Sequence, residues 1–225
     1  MTLDLVDGFF LRRATLEDHP ALARICLETG DAGKDASAIE DDPELLGLIY
    51  AVPYQVLEPD LAFVIDGPGG VSGYLFGAAD TAAFNTRLAN EWYPELRRRT
   101  ADPGPDAASW RGSDRARRLV HHPDLTVPGS LAAYPSHGHI DLLPPARGKG
   151  IGRRAMAFLE GRLAAAGSPG LHLQVNPRNG DAIRFYGAIG YGVLRSPDLP
   201  AGHVYVAKRL RTTDEDSPFH LPPKR

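Results

Sequence analysis

The sequence is poor in three features, each of which would indicate a particular class of protein. It has a single cysteine, Cys26, which excludes an internal disulfide and a zinc site built from cysteines. Lys and Arg number 25 against 28 Asp and Glu, a formal net charge of −3, whereas a general nucleic-acid binder needs a basic surface. The longest apolar runs, such as residues 61–65, are too short to cross a bilayer. We therefore expect neither nucleic acid nor a membrane as a partner.

The overall composition is that of an ordinary globular protein, with 43% hydrophobic and 24% charged residues. The first ten residues have no basic start and no long apolar stretch, so we expect no secretion signal and a cytoplasmic location. No internal repeat or second core pattern is visible, and we expect a single domain over residues 1–211. Prolines at 218, 222 and 223 favour a disordered tail over residues 212–225.

Turn-forming residues divide the chain into short strands and helices. Strands are expected at 8–13, 62–66, 71–79, 137–143, 171–175, 191–194 and 203–209. Helices are expected at 15–28, 43–50, 84–99, 113–120, 150–166 and 179–189. Residues 80–136 are the least regular part and form an insertion interrupted by proline and glycine. The alternation of strand and helix over 140–189 predicts a βαβ unit and an α/β fold.

The most informative stretch is 147–154, which reads Arg-Gly-Lys-Gly-Ile-Gly-Arg-Arg and lies between a predicted strand and a predicted helix. Glycines at alternate positions leave backbone N–H groups open to close approach by a ligand. Four cationic side chains crowd the helix start, where each is unfavourable by about 0.3–1 kcal/mol against the helix dipole. A bound polyphosphate would reverse that effect, because N–H groups, dipole and side chains all attract it. The alternative is a glycine-rich turn with solvated basic residues.

Two common phosphate-binding motifs do not match this stretch. A P-loop requires a glycine–lysine pair followed by a hydroxyl residue, and the sequence has no such run. The Rossmann fingerprint requires a third glycine where Arg153 stands, and it follows the first strand of its domain. The stretch instead resembles the pyrophosphate loop of the GNAT superfamily of N-acetyltransferases, [QR]-x-x-G-x-[GA], with Arg147, Gly150 and Gly152 at its defined positions.

A second motif supports the same resemblance. Residues 179–191, NGDAIRFYGAIGY, are similar to the superfamily signature N-x-x-A-x-x-F-Y-x-x-x-G-[FY]. Within the superfamily, residues 71–80, 91–94 and 134–143 most resemble bacterial acetyltransferases similar to the C-terminal acetyltransferase-like domain of O-GlcNAcase. The resemblance implies a mixed, mostly antiparallel central sheet flanked by helices. Its fourth strand, here 137–143, would be splayed away from the next.

The resemblance also implies acetyl-CoA as cosubstrate and no metal. The pantetheine arm would lie along the backbone of Ile140 and Leu142, because its two amides need a free strand edge. The pyrophosphate would meet the N–H groups and side chains of the glycine-rich loop. Asn179 precedes Tyr186 by two helical turns, so both would face the cofactor. The loop residues in this assignment are Arg147, Gly148, Lys149, Gly150, Ile151, Gly152 and Arg153.

Tyr186 is the candidate general acid, because the leaving thiolate needs a proton that a phenol of pKa ~10 can supply. The alternative is an ordinary packed aromatic. Many superfamily members use a glutamate on the fifth strand as base, but the matching residue here is Gln174, which is a poor proton acceptor. We expect Asp141 to replace it, directly or through a water, on one strand face with His137 and His139. That face could also be a hydrogen-bonded polar surface or a metal site.

The sequence does not identify the amine acceptor, which could be a small molecule or a protein lysine. Residues 28–60 hold nine acids against a single lysine, which favours a cationic acceptor, and the alternative is a solvated acidic face. Eight arginines over 87–118 leave an anionic acceptor open. Trp92, Tyr93 and Trp110 could line a pocket or form a satellite core.

We therefore predict an acetyl-CoA-dependent N-acetyltransferase that acts through a ternary complex. One alternative is an acetyl-CoA-binding module with little or no turnover, serving as a sensor or interaction domain. Another is an acyltransferase that uses a different acyl-CoA. The oligomeric state is left open, with a homodimer as one option.

Overall fold

The computed structural model describes residues 2–210, so the predicted tail over 212–225 lies outside the described residues. An eight-stranded open sheet forms the centre of this part, in the order β1-β2-β3-β4-β5-β6-β8-β7. Every neighbouring pair is antiparallel except β5 and β6, which are parallel, so the predicted mixed and mostly antiparallel sheet is confirmed. The strands are β1 (Thr2–Asp4), β2 (Phe10–Arg13), β3 (Ala62–Asp66), β4 (Gly73–Ala78), β5 (Ser136–Leu142), β6 (Gly170–Val175), β7 (Gly192–Leu194) and β8 (Val204–Arg209).

Helices cover both faces of the sheet. The helices α1 to α6 pack on one face, and α7 and α8 pack on the other. They are α1 (His19–Glu28), α2 (Leu45–Tyr50), α3 (Val52–Leu57), α4 (Thr81–Arg87), α5 (Tyr93–Arg99), α6 (Asp114–His121), α7 (Ile151–Ala165) and α8 (Gly180–Ala188). No helix within residues 2–210 combines the length and the apolar character needed to cross a bilayer.

Two hydrophobic cores result from the alternation of side chains along the strands. In β3, Val64 packs with the α1–α6 core, whereas Phe63 packs with the core under α7 and α8. In β4, Tyr74 and Leu75 divide between the two cores in the same way. The central strands are therefore apolar on both faces, which explains why they read as continuous hydrophobic runs.

The first sixty residues differ in detail from the predicted elements. The sequence predicts Leu16 within the buried stripe of a helix over 15–28, but Leu16 lies in a 3-10 turn and is 73% exposed. The α-helix begins at His19, with Pro20 in its first turn. Sequence reasoning missed β1, a three-residue strand with two exposed side chains, because so short an edge strand has little pattern. It also missed α3, which follows α2 after a break at Ala51.

The insertion over 80–136 contributes ordered helices, not only loops. Asp80 caps α4 by accepting a hydrogen bond from the backbone N–H of Ala83, and a π-helical turn over Leu88–Trp92 joins α4 to α5. The predicted helix over 84–99 is thus confirmed and begins three residues earlier. Side chains from α4, α5 and α6 complete the core on their face of the sheet; they are Phe84, Tyr93, Leu96, Ala116 and Val120.

Candidate active site

The cleft of the molecule lies where β5 and β6 diverge. The two strands pair only at Ser136 with Leu171 and at His137 with His172. A cavity of about 450 Å³ lies beyond this pairing and is lined by both strands. The splayed strand of the prediction is therefore β5. The predicted fourth strand is fifth in chain order, because the unpredicted strand β1 precedes β2, which corresponds to the first predicted strand.

One edge of β5 faces this cleft without a strand partner. The N–H of Leu143 bonds to the carbonyl oxygen of Ser72, which fixes the odd-numbered residues of β5 as those that bond to β4. The N–H and C=O groups of Ile140 and Leu142 therefore point the other way, toward the cleft. The side chain of Arg147 already occupies part of this edge, because its Nε lies 2.6 Å from the carbonyl oxygen of Leu142.

The loop between β5 and α7 presents a series of free backbone donors. Within the described part of the chain, the N–H groups from Gly148 to Arg153 find no hydrogen-bond acceptor, and the first helical bond is from Arg154 to Gly150. Gly148 and Gly150 have φ of +74° and +78°, a left-handed conformation that other residues rarely adopt, and the space beside them is open. A Cβ on Gly152 would lie 3.2 Å from the Phe185 ring, so glycine there allows α7 to approach α8.

The four cationic side chains of this loop are held by backbone oxygens more than by carboxylates. Arg147 also reaches the carbonyl of Gly33, Arg153 that of Ala188, and Arg154 that of Leu5. Among residues 2–210 none of these arginines pairs with a carboxylate, and Lys149 lies 3.5 Å from Asp7. Their positive charge is thus largely uncompensated at the start of a helix, where it favours a bound anion.

Asp141 lies in a hydrogen-bonded cluster at the wall of the cleft. Its Oδ2 accepts a hydrogen bond of 2.5 Å from the phenol of Tyr74 and lies 3.0 Å from Nε2 of His139. The other ring nitrogen, Nδ1, lies 2.9 Å from the carbonyl oxygen of Tyr50 and must donate to it. Nε2 and Oδ2 therefore hold one proton between them. Burial lowers the pKa of His139, but the hydrogen bond and charge of Asp141 outweigh it and raise that pKa above its usual 6.5.

Tyr186 lies on α8 and lines the same cavity as Asp141. Its ring is 6% exposed and packs against Phe185 and Tyr191. No hydrogen-bond partner for its phenol is found among the described residues. Burial, with a contribution from the charge of Asp141, raises the pKa of Tyr186 above its usual 10, so the phenol remains protonated at neutral pH.

Asn179 has a local structural role in addition to lining the cleft. Its side-chain oxygen caps α8 by accepting a hydrogen bond from the N–H of Ala182. Its amide nitrogen would lie 2.9 Å from a Cβ built on Gly33. Glycine at position 33 therefore lets the loop after α1 pass close to the start of α8, and Arg178 pairs with Asp31 of the same loop.

His137 belongs to a second hydrogen-bond chain in the cleft, and its directions can be assigned. Thr81 Oγ1 donates to the carbonyl of Pro135 and accepts from Nδ1 of His137 at 2.9 Å. The unprotonated Nε2 of His137 therefore accepts from the phenol of Tyr54 at 2.7 Å. Burial lowers the pKa of His137 to about 3, so the ring is neutral at physiological pH. No group of three or more metal-binding side chains with suitable geometry is found in residues 2–210.

The walls of the cleft differ in part from the sequence predictions. Tyr93 of the insertion lines the cavity, but Trp92 and Trp110 do not, and their indole N–H groups donate to the carbonyls of Leu48 and Gly104. Gln174 lines the cavity with an exposed side chain on β6, at the position where the resemblance would place a glutamate. Cys26 is buried, at 4% exposure.

Sequence reasoning missed the two tyrosines that complete the polar chains of the cleft. Tyr74 is opposite Asp141 in the register of β4 with β5, and Tyr54 comes from α3. Both contacts join residues far apart in the chain, and no local spacing indicates them. A polar phenol within the apolar run 73–78 was the available signal for Tyr74.

A family model and several solved structures match this chain. The model described as "Acetyltransferase (GNAT) family" matches residues 91–191. The crystal structure of SsHAT is 32% identical, covers 91% of this chain and 99% of its own, and superposes with a TM-score of 0.81. A GNAT superfamily phosphinothricin acetyltransferase from Sinorhizobium meliloti, solved in complex with AcCoA, has a TM-score of 0.54. It is 17% identical, over 95% of this chain and 94% of that chain, and shows the same fold.

Among curated proteins, the O-GlcNAcase of Rattus norvegicus is 24% identical over 196 residues, which is 86% of this chain. The O-GlcNAcase of Mus musculus matches to the same extent. The chain spans about a fifth of the length of these relatives, 21% of each. The match to SsHAT over nearly the full length of both chains, the family model and the splayed β5–β6 cleft agree with one another. The chain belongs to the GNAT acetyltransferase family.

Proposed function

We propose that this protein transfers an acetyl group from acetyl-CoA to the nitrogen of an amine acceptor, with both substrates bound in the cleft at once. The observation that carries this proposal is that Tyr186 and the His139–Asp141 pair line one cavity, together with the unpaired edge of β5. A proton donor and a proton acceptor are thus available beside a strand edge that suits a thioester substrate.

The residues of the cleft fit acetyl-CoA. The free N–H groups from Gly148 to Arg153 and the unpaired arginines suit a diphosphate, whose negative charge they would bind at the start of α7. The amides of the pantetheine arm would bond to the backbone of Ile140 and Leu142. Ile140 is available directly, whereas the carbonyl of Leu142 becomes available when the Arg147 guanidinium leaves it.

In the chemical step acetyl-CoA supplies an activated acyl group. A bond forms between the acceptor nitrogen and the acetyl carbon, and the bond from that carbon to sulfur breaks. The His139–Asp141 pair, once it has lost its shared proton, accepts a proton from the nitrogen. Tyr186 donates a proton to the departing sulfur and regains one through solvent, so that the products are the amide and the free thiol.

Asp141 contributes to this step as part of a pair. Its charge keeps Nε2 of His139 basic, and the phenol of Tyr74 stabilises the carboxylate. The base of the reaction is therefore Asp141 acting with His139. Gln174 takes no proton in this scheme.

The second candidate function is an acetyl-CoA-binding module with little or no turnover. The exposed Gln174 favours it, because an amide stands where a catalytic glutamate would lie. The two candidates differ in acceptor-dependent release of the CoA thiol, since both would bind acetyl-CoA. Release in a screen of amines and lysine peptides supports the enzyme, and its absence with every acceptor supports the module.

Tyr186→Phe tests the role of the phenol. We expect kcat to fall about 100-fold or more, the usual contribution of a general acid, with the Kd for acetyl-CoA unchanged. Tyr205→Phe is the matched control, because Tyr205 is also buried but lies on β8 outside the cavity lining. Equal turnover of Tyr186→Phe and the control would remove Tyr186 as the acid.

A further inference from the structure

We propose that the acceptor is a linear alkyl diamine or polyamine, with one amine at the His139–Asp141 pair and a second positive charge held by Asp124. This inference rests on the proposed function and names the substrate class for the same cleft. The carboxylates of Asp141 and Asp124 line a single cavity, the first on β5 and the second on the insertion.

The lining carries negative charge at Asp124, and the His139–Asp141 pair adds a second negative charge once it has lost its shared proton. Among the described residues that line it there are two aspartates and neither a lysine nor an arginine. Burial lowers the pKa of His137 and that of His172, so both rings are neutral at pH 7. The other two histidines of the lining are His139, which is paired with Asp141, and His203. An acceptor with a carboxylate or phosphate near its amine would therefore meet neither a lysine nor an arginine to compensate it. A second ammonium group would meet a carboxylate.

The many arginines of the insertion do not alter this conclusion, because none of them lines the cavity. Arg117 pairs with Asp41 and Asp114, and Arg118 pairs with Asp102. Arg87 pairs with Glu91 and also reaches the carbonyl of Leu57. Uncharged residues of both charged segments line the cavity, but no acid of 28–60 and no arginine of 87–118 does. The electrostatic character of the site is set by Asp124 and Asp141.

The wall around the acceptor end is apolar and aromatic, which suits a methylene chain. Tyr54 stacks on Phe84 at 4.6 Å between ring centroids, and both line the cavity with Leu88, Tyr93 and Leu131. Aromatic faces also attract ammonium groups. An unbranched chain with a nucleophilic amine at one end and an ammonium group at the other suits an apolar wall with carboxylates at two positions.

Asp124 is held in position and still has a free oxygen. Its Oδ1 accepts a hydrogen bond of 3.1 Å from the backbone N–H of Thr126. In the part of the chain that the structure describes, no cation pairs with Asp124. The Asp124 carboxylate can therefore accept a hydrogen bond from an ammonium group without losing an existing ion pair.

The test compares three acceptors of similar length with different distal groups: pentane-1,5-diamine, pentylamine and 6-aminohexanoate. With acetyl-CoA saturating, we expect kcat/KM for the diamine to exceed that for pentylamine by up to about fivefold, the upper end for an ion pair with an exposed carboxylate such as Asp124. The aminohexanoate should be the poorest of the three. If no acceptor, these included, gives thiol release, the proposed function fails together with this inference.

Asp124→Asn should bring kcat/KM for the diamine down to that for pentylamine, while the amide oxygen can still accept from Thr126. Asp106→Asn is the matched control, since Asp106 makes the same turn with the N–H of Ala108 in the insertion but lies outside the cavity lining. Asp124→Lys should raise the aminohexanoate above pentylamine. Transfer with no preference for the diamine, a preference that survives Asp124→Asn, or faster acetylation of a lysine peptide would overturn this inference alone.

Discussion

The Asp141→Asn variant tests whether Asp141 takes part in proton transfer or only adds a polar group to one face of β5. The Asp141 carboxylate lies 3.0 Å from Nε2 of His139, and an opposite charge this close moves a pKa by about 1 to 3. In the variant this contribution is lost, whereas burial, which lowers the pKa of His139, remains. The wild-type pair keeps its shared proton up to a pKa above 6.5, so the rate should fall below that pH. In the variant the neutral ring persists to lower pH.

The assay is kcat/KM for CoA release from pH 5.5 to 10, with wild type and Asp141→Asn on the same acceptor so that the titration of the acceptor cancels. We expect the acid limb of the variant at lower pH by about 1 or more, with a reduced plateau because an amide does not hold the proton. Asp106→Asn is the control and should keep the wild-type profile. An acid limb at the same pH in both proteins would refute the assignment of the pair as base.

Two further substitutions test the loop and the packing. Gly150→Asp should weaken acetyl-CoA binding about tenfold or more in isothermal titration, because it adds bulk and negative charge among the free N–H groups. Gly104→Asp, at φ +81° and also with open space, reproduces the backbone strain away from the loop and should leave the affinity unchanged. Gly47→Ala should reduce the free energy of unfolding by about 2–3 kcal/mol in urea titration, since its Cβ would lie 2.5 Å from Cα of Ala23. Gly161→Ala, in α7 with nothing within 4 Å, should instead stabilise the protein by about 0.5–1 kcal/mol, and a loss equal to that of Gly47→Ala would contradict the packing explanation.

The parts of the fold that follow from local sequence could be predicted. The stretch 147–154 combines glycine, cations and a helix start within eight residues, and the structure has the expected free N–H groups there. The left-handed conformation of Gly148 and Gly150 is an addition that the structure supplies. The divergence of β5 from β6 was inferred from the resemblance and is confirmed by the two register pairs. The β1 strand was not predicted, because three residues with exposed side chains do not produce an alternating pattern.

The hydrogen-bond partners of the catalytic candidates could not be predicted, because they depend on register and on helix placement. Asp141 and His139 share a strand face as expected, and this follows from alternation alone. Tyr74 meets Asp141 only because β4 and β5 pair with these residues opposite each other. The carbonyl of Tyr50 reaches His139 only because α2 ends beside β5. These two contacts determine how the proton between His139 and Asp141 is held, and neither can be inferred from the spacing of residues in the sequence.

The charged segments also show that the composition of a segment does not determine where its charges lie in the structure. The sequence offers an acidic segment and an arginine-rich segment as rival indications of the acceptor. In the structure the Arg117–Asp41 ion pair joins them, and no charged side chain of either segment lines the cavity. The opposite charges of an ion pair cancel at a distance, so the pair has almost no net field beyond a Debye length of about 8 Å. Neither charge of such a pair attracts a distant acceptor. What remains at the cleft is a pair of single carboxylates, one of which already shares a proton with His139. We therefore expect the selectivity of the proposed site for its acceptor to depend on Asp124 far more than on the net charge of any segment.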